Sequence, residues 1–487
     1  MKPINLPPYA PILMESTRAI GYSLEAAIAD VIDNSIAAEA QNIYVNFFPV
    51  GQEYVYILDD GHGMNADGIT NAMQYGSKNP NDIRNLNDLG RFGLGLKTAS
   101  LSQCRVLTVV SKQSDSIVCR QWDLDYIAKT EEWTLKELDE NEIEGLPGLT
   151  DLKKLDNGTL VVWQKLDRMS LGELDFESAM GKKMDDVRTH LALVYHRYLS
   201  NEMGANRISL TLNNLPIIPD DPFLEKKSEV PMDDEVMAIG TSRVLVRTYI
   251  LPHPSKLEKS ELDKLGGKEG LRRQQGFYIY RNKRLLVWGT WFHMMRQAEL
   301  SKLVRIRVDI PNDLDDLWTL DIKKSTAIPP EIVKKNLKAL IERMSEKSKR
   351  TWTFRGKKEV DDHIEHVWNR LKTNSGGYLY EINRDHSMIQ DFIKKYPDSQ
   401  NYLFSILKQV ESSIPLNALY VDLSSDEKLD NETMNSINDV KGIMKSILCS
   451  TEPGLRNDVF ETIIINEPFV QFDSDLRKAL ERGEFND

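Results

Sequence analysis

Between residues 23 and 40, apolar and small positions recur every three or four residues: Leu24, Ala27, Ile28, Val31, Ile32 and Ser35. That period predicts an amphipathic helix, with Ser23 as its N-cap. Two short apolar runs, 43–48 and 54–58, are joined by a turn near Gly51 and predict neighbouring strands. Residues 64–90 lose the pattern and collect turn formers (Gly68, Gly76, Asn79, Pro80, Asn81). A segment of that length without regular structure inside a compact domain is usually functional. A glycine-rich turn, Gly90 to Gly95, then opens a further helix, and strands are predicted at 105–111, 117–122 and 159–164. The acidic, turn-rich stretch 127–157 between the last two predicts a surface insertion or hairpin.

Beyond it, a long helical period over 180–201 leads to predicted strands at 207–213, 243–250, 276–281 and 304–310, then to a helix over 331–348. From about 350 the pattern is mostly helical and charged. The expected organisation is therefore α+β in three parts: 1–170 as a two-layer α/β sandwich, 171–348 as a second α/β domain, and 349–487 as a mostly helical region of unassigned role. The first 20 residues form an arm. No repeat and no long low-complexity tract interrupts this layout.

Composition narrows the function classes. The chain has 487 residues, 41% of them hydrophobic and 28% charged, ordinary values for a protein with a real core. Its net charge of −12 opposes a surface built to coat nucleic acid. Cys104, Cys119 and Cys449 form no CxxC pair, which excludes a disulfide framework and a zinc site of that type. No apolar stretch approaches the length of a membrane span, and the start of the chain has no apolar targeting core; the expectation is a cytoplasmic protein with no membrane partner.

Three short motifs carry chemistry. In Asp30-Val31-Ile32-Asp33-Asn34, an acid and an amide at i and i+4 project from one helix face. Such a pair could hold a hard cation such as Mg²⁺, which takes oxygen ligands and shares them with phosphates, and could orient a water. In Asp59-Asp60-Gly61-His62-Gly63-Met64, at a strand end, a carboxylate can accept from an exocyclic amine while glycines let a flat ring come close. In Gly90-Arg91-Phe92-Gly93-Leu94-Gly95-Leu96-Lys97-Thr98, the glycines expose backbone N–H groups at a helix start, and Lys97 adds a point charge for phosphate. The spacing is not that of a Walker A loop, and no βαβ unit surrounds it.

Taken together and in this order, the motifs resemble the GHKL ATPases (gyrase, the heat-shock chaperone, histidine kinases and MutL), most closely the MORC and MutL branches, over residues 15–165. The resemblance implies an ATP hydrolase with these roles: Asp30 at the position of the catalytic acid, Asn34 as the Mg²⁺ ligand, and Asp59 on the adenine amine. Gly61, Gly63 and Met64 would line the base pocket. Gly90, Arg91, Phe92, Gly93, Leu94, Gly95, Leu96, Lys97 and Thr98 would surround the phosphates, Thr159 would lie beside adenine, and 65–90 would be a lid. The family usually has Glu where this chain has Asp30, so hydrolysis is expected to be slow or partner-activated.

The segment Gly276 to Arg284 reads as strand, turn, strand, and is similar to the transducer domain that follows the ATP site in those branches. There a lysine reaches the γ-phosphate; Lys324 is the best match, with Lys323 as the alternative. Asp309, Asp321 and Lys323 imitate a nuclease set, but the transducer reading accounts for the same residues. His363 and His366 lack a metal-spaced partner and read as solvated. The resemblance implies an ATP-dependent homodimeric switch acting on DNA or with a nuclease or other DNA-processing partner, in the manner of bacterial restriction or phage-defence proteins. The alternatives are a chaperone-like ATPase remodelling a protein client, which suits the net acidity, and a nucleotide-binding subunit without turnover.

Overall fold

The computed structural model describes residues 8–19, 21–76, 95–200, 207–230, 233–267, 270–297, 301–315, 317–318, 328–353, 367–372, 378–415, 437–449, 453–464 and 469–485, with a few isolated positions besides. Contacts divide the chain into two units, 1–355 and 356–487.

The first unit opens with α1 (Ala10–Arg18) and α2 (Leu24–Ala37). Ser23 caps α2 by accepting from the Ala26 N–H, as the sequence predicts. There follow β1 (Asn42–Phe48), β2 (Tyr54–Asp59), α3 (Ala66–Met73), α4 (Gly95–Leu101), β3 (Val106–Gln113) and β4 (Ser116–Asp123). Next come α5 (Leu124–Thr130), β5 (Lys136–Glu137), α6 (Glu140–Ile143), α7 (Leu149–Lys154), β6 (Gly158–Gln164), α8 (Asp167–Ser170), α9 (Phe176–Val194), α10 (His196–Leu199), β7 (Ser209–Leu212) and β8 (Leu215–Pro216). The strands form one sheet in the order β5-β4-β3-β6-β2-β1-β7-β8. Only β1 and β7 run parallel within it; every other pair is antiparallel.

Side chains alternate across this sheet. On β2, Val55 and Ile57 face a large core that α1, α2, α4 and α9 complete with Met14, Ala27, Ile28, Ile32, Ala99, Met184 and Leu191. Leu58 faces the opposite side, with Val110, Leu160 and Val162, under a smaller cover of Ile143, Leu149 and Leu152. The first core runs on through Leu210, Leu212 and Ile217, so α9 and β7 pack as part of it.

Two segments differ from the sequence-based expectation. Within the stretch expected to be loop, residues 66–73 are helical. Asn65 caps that helix by accepting from the Gly68 N–H, and Ile69 and Met73 are buried one turn apart. The 127–157 insertion contains short helices, and its β5 only extends the sheet edge beside β4.

The second half of this unit holds β9 (Glu235–Ile239), β10 (Ser242–Ile250), α11 (Lys259–Gly266), β11 (Gly276–Arg281), β12 (Arg284–Thr290), β13 (Val304–Ile310) and α12 (Glu331–Thr353). Its sheet order is β12-β11-β13-β10-β9, with β11 and β13 parallel. Val246, Phe277, Ile279, Ile306 and Val308 form its core with Val333, Leu337 and Leu340 of α12.

The second unit has a hairpin of β14 (Trp368–Lys372) and β15 (Tyr378–Ile382), then α13 (Ser387–Lys395) and α14 (Gln400–Ser412). Helices Ile437–Cys449, Arg456–Ile464 and Asp473–Glu481 close a small core around Met444, Phe460 and Leu476.

Candidate functional site

Three strands of the first sheet and two helices bring the candidate residues together. Asp59 ends β2, directly opposite Thr159 of β6, which in turn lies opposite Ser111 of β3. The Asp59 carboxylate is buried. Oδ2 accepts from the Ser35 hydroxyl of α2 at 2.7 Å, and Oδ1 from the Gly61 N–H at 3.0 Å. Burial pushes the carboxyl above its ordinary value, against the lowering effect of Ser35 and the Gly61 and Thr159 backbones. A carboxylate has about four lone-pair sites, so these donors leave capacity for one more amine.

The neighbouring Asp60 is committed elsewhere. Its Oδ1 accepts from the Gln41 and Asn42 N–H groups and its Oδ2 from Asn42 Nδ2, which pins the start of β1. The structure thus separates two adjacent acids into a scaffold residue that pins β1 and a buried residue held by Ser35 and Gly61.

Gly63 sits at φ +67, and a Cβ there would lie 2.1 Å from the Lys112 carbonyl oxygen. Only glycine allows the turn to pass this close to β3. The Met64 N–H then donates to Ser111 Oγ at 2.9 Å, and Ser111 Oγ lies 3.0 Å from Thr159 Oγ1. Met64 is half-buried and packs on the first core. Asp59, Gly61, Gly63, Met64 and Thr159 therefore share one end of the sheet, joined by Ser35 and Ser111, which the motif reading had not named.

Asp30 lies five residues before Ser35 on α2, about 7.5 Å along the helix axis at 1.5 Å per residue. It is 3% exposed. Tyr22 donates its hydroxyl to Oδ2 at 2.9 Å. A Cβ on Gly95 would stand 3.5 Å from the same oxygen, so the first residue of α4 lies over the carboxylate. Asn34 is exposed on the same helix, and its Nδ2 donates to the Asp30 carbonyl at 3.0 Å, which leaves its amide oxygen to act as an acceptor.

Leu96 is half-buried against the first core, and Lys97 and Thr98 are buried. The Lys97 ammonium donates to the Ala72 and Gln74 carbonyls, each at 2.9 Å, which ties the end of α3 to the start of α4. In this conformation it holds backbone rather than standing open to a ligand. Gly90, Arg91, Phe92, Gly93 and Leu94, and with them most of the expected lid, lie outside the described residues, as do Asp321, Lys323, Lys324, His363 and His366.

One contribution had no local signal. Arg284, at the start of β12, reaches α2 and donates through Nε to Asp33 Oδ1 at 2.7 Å. Tyr195 places its hydroxyl 2.6 Å from the same oxygen.

An acid and amide on one helix, a buried strand-end carboxylate with a glycine turn, and a glycine at the start of a helix beside the acid thus lie within one domain. Residues 22–159 match the family of histidine kinase-, DNA gyrase B- and HSP90-like ATPases. The chain carries a GHKL-type ATPase domain over that span. It is also similar to the ATPase morc-1 of Caenorhabditis elegans, 30% identical over 94 residues, which is 19% of this chain and 10% of that protein. The match thus spans about a tenth of that relative's length. Among solved structures, the chain is similar to a crystal structure of the N-terminal domain of a DNA repair protein, 15% identical, at a TM-score of 0.42, covering 69% of this chain and 99% of that one.

Proposed function

We propose that the chain binds ATP at this site and hydrolyses it in a Mg²⁺-dependent reaction, and that it is a cytoplasmic switch that dimerises on binding ATP. The observation that carries the reading is the juxtaposition on α2: a buried Asp30 carboxylate against Gly95 at the start of α4, with the exposed Asn34 one turn on. Asp30 serves as the base that takes a proton from the attacking water, held in orientation by Tyr22. Asp59 accepts from the adenine amine, and the Gly61–Gly63 turn with Met64 and Thr159 surrounds the base.

Asn34 fits a Mg²⁺ site of the kind in which protein supplies one oxygen and phosphates and waters supply the rest. When bound, the ion would neutralise charge on the phosphates. Among the described residues no group of three or more His, Cys, Asp or Glu is placed to hold a metal, so a cage made wholly of protein is not the arrangement proposed. Lys324, or else Lys323, would contact the γ-phosphate from the second domain.

The resemblance to the MORC and MutL branches supports action on DNA or with a DNA-processing partner, in restriction or phage defence. The net charge of −12 favours the second reading, a chaperone-like ATPase acting on a protein client. Among the described residues no helix is long and apolar enough to cross a membrane. Light scattering with and without a non-hydrolysable ATP analogue tests the switch: the mass should double with nucleotide, and an unchanged mass with ATP bound contradicts it. DNA binding measured across salt separates the two roles, because phosphate contacts give a steep salt slope.

A further inference from the structure

Asp30 is approached from two sides. Tyr22 donates to Oδ2, and on the other side Nη2 of Arg284 stands 3.8 Å from Oδ1. Arg284 is 251 residues from Asp33, its closest partner, and belongs to the second sheet. Asp30, Asp33, Tyr195 and Arg284 are all buried. Asp30 and Asp33 are three residues apart on one helix, so their carboxylates are neighbours. A guanidinium spans such a pair with a planar fork, which an ammonium cannot do.

The hairpin that delivers Arg284 is rigidly made. Asn282 and Lys283 sit at φ 47 and 67 between the paired Arg281 and Arg284, the geometry of a tight two-residue turn whose twist matches the strands. Arg281 is locked bidentately to Asp315, both contacts at 2.7 Å. The turn is docked on α10 as well: the Tyr198 hydroxyl donates to the Asn282 carbonyl, His196 Nε2 lies 2.7 Å from the Tyr280 hydroxyl, and Arg197 pairs with Asp309 of β13.

We propose that Arg284 is a positioning residue for Asp30: the second sheet reaches into the ATPase domain through this turn and fixes the Asp30 carboxylate, so that turnover requires the second sheet to be docked. The inference rests on the reading of Asp30 as the base.

Its test uses the full chain with three changes. Arg284→Met combined with Asp33→Asn removes one charge of each sign, so the net charge beside Asp30 is unchanged while Asp30 keeps the Tyr22 hydroxyl. Arg284→Lys keeps the charge and loses the fork. Asp30→Ala is the reference for loss of the base. The double variant should bind ATP within about threefold of wild type while kcat falls roughly ten- to hundredfold, the scale of a base displaced by an ångström. Arg284→Lys should recover part of that loss. Wild-type kcat in the double variant overturns the inference, as does loss of ATP affinity in step with kcat, which is what a purely structural arginine would give. If the double variant does not fold, Arg284→Lys decides: unchanged kcat overturns the inference and a reduced kcat at unchanged KM supports it. These results differ from failure of the underlying reading, in which Asp30→Ala turns over like wild type, or wild type binds ATP without turnover; either removes the positioning role too.

Discussion

Replacing Asp59 with Asn changes one buried charge at the proposed adenine site and almost no volume. In the native protein the carboxylate takes Ser35 at 2.7 Å and the Gly61 N–H at 3.0 Å while shut away from water. Hydrogen bonds to a charged group contribute about 1.5–3 kcal/mol, and the amide weakens them. Burying the charge costs a comparable amount, which the amide does not incur. The two effects oppose each other, so Asp59→Asn should change stability by less than about 1.5 kcal/mol. ATP affinity should fall about tenfold, roughly 1.4 kcal/mol, because a charge-assisted bond to the adenine amine becomes a neutral one. The pH dependence has a definite sign. The folded carboxyl holds its proton more tightly than the 3.8 of the free group, so its contribution to folding is lost as pH rises through the window above 3.8. Wild type should therefore gain on the variant as the pH is lowered toward that value. Calorimetric ATP titration and urea unfolding of both proteins give the numbers. Unchanged affinity with intact folding would refute the assignment of Asp59 to adenine.

Further consequences concern the same elements. Gly63→Ala puts a methyl group 2.1 Å from the Lys112 carbonyl at φ +67; left-handed backbone and overpacking together should cost about 3 kcal/mol, read as a lowered Tm with loss of nucleotide binding, and an unshifted Tm contradicts the turn geometry. Tyr195→Phe removes the hydroxyl that sits 2.6 Å from Asp33 and 2.7 Å from the Ala29 carbonyl; a loss of about 2 kcal/mol in urea unfolding is expected, and a loss under 0.5 kcal/mol counts against a charge-assisted bond there. Burial, and then the Arg284 charge, lower the His190 pKa to about 3 from the ordinary 6.5. The folded state excludes the proton, so this stability is full above 6.5 and drains away as pH falls toward 3. His190 keeps some contact with solvent, so the loss by pH 5 should be about 1 kcal/mol, absent in His190→Gln.

The sequence made the local parts of this site legible. The 3.6-residue period and Ser23 located α2 and with it Asp30 and Asn34; strand-end position and paired glycines located Asp59 and Gly63. In each case the signal and the structure lie within a few residues of each other. What escaped was non-local. Ser35 reads as one small residue on a core face, yet it holds Asp59 across 24 positions. Tyr22, Tyr195 and Arg284 converge on α2 from separate segments, and no spacing rule links them. The α3 helix escaped because Asp67, Gly68, Thr70 and Asn71 are poor helix formers; it is held by the Asn65 cap and by burial of Ile69 and Met73. Strands β5 and β8, two residues each, carry no periodicity at all.

The central claim is that α2 carries the hydrolytic machinery, and the most direct test is Mg²⁺-dependent ATP hydrolysis by the purified chain beside Asp30→Ala and Asn34→Ala. Wild type should turn over slowly, Asp30→Ala should bind ATP without turnover, and Asn34→Ala should lose Mg²⁺-dependent turnover. Turnover by Asp30→Ala at the wild-type rate, or a wild-type chain that binds no ATP, would contradict that claim.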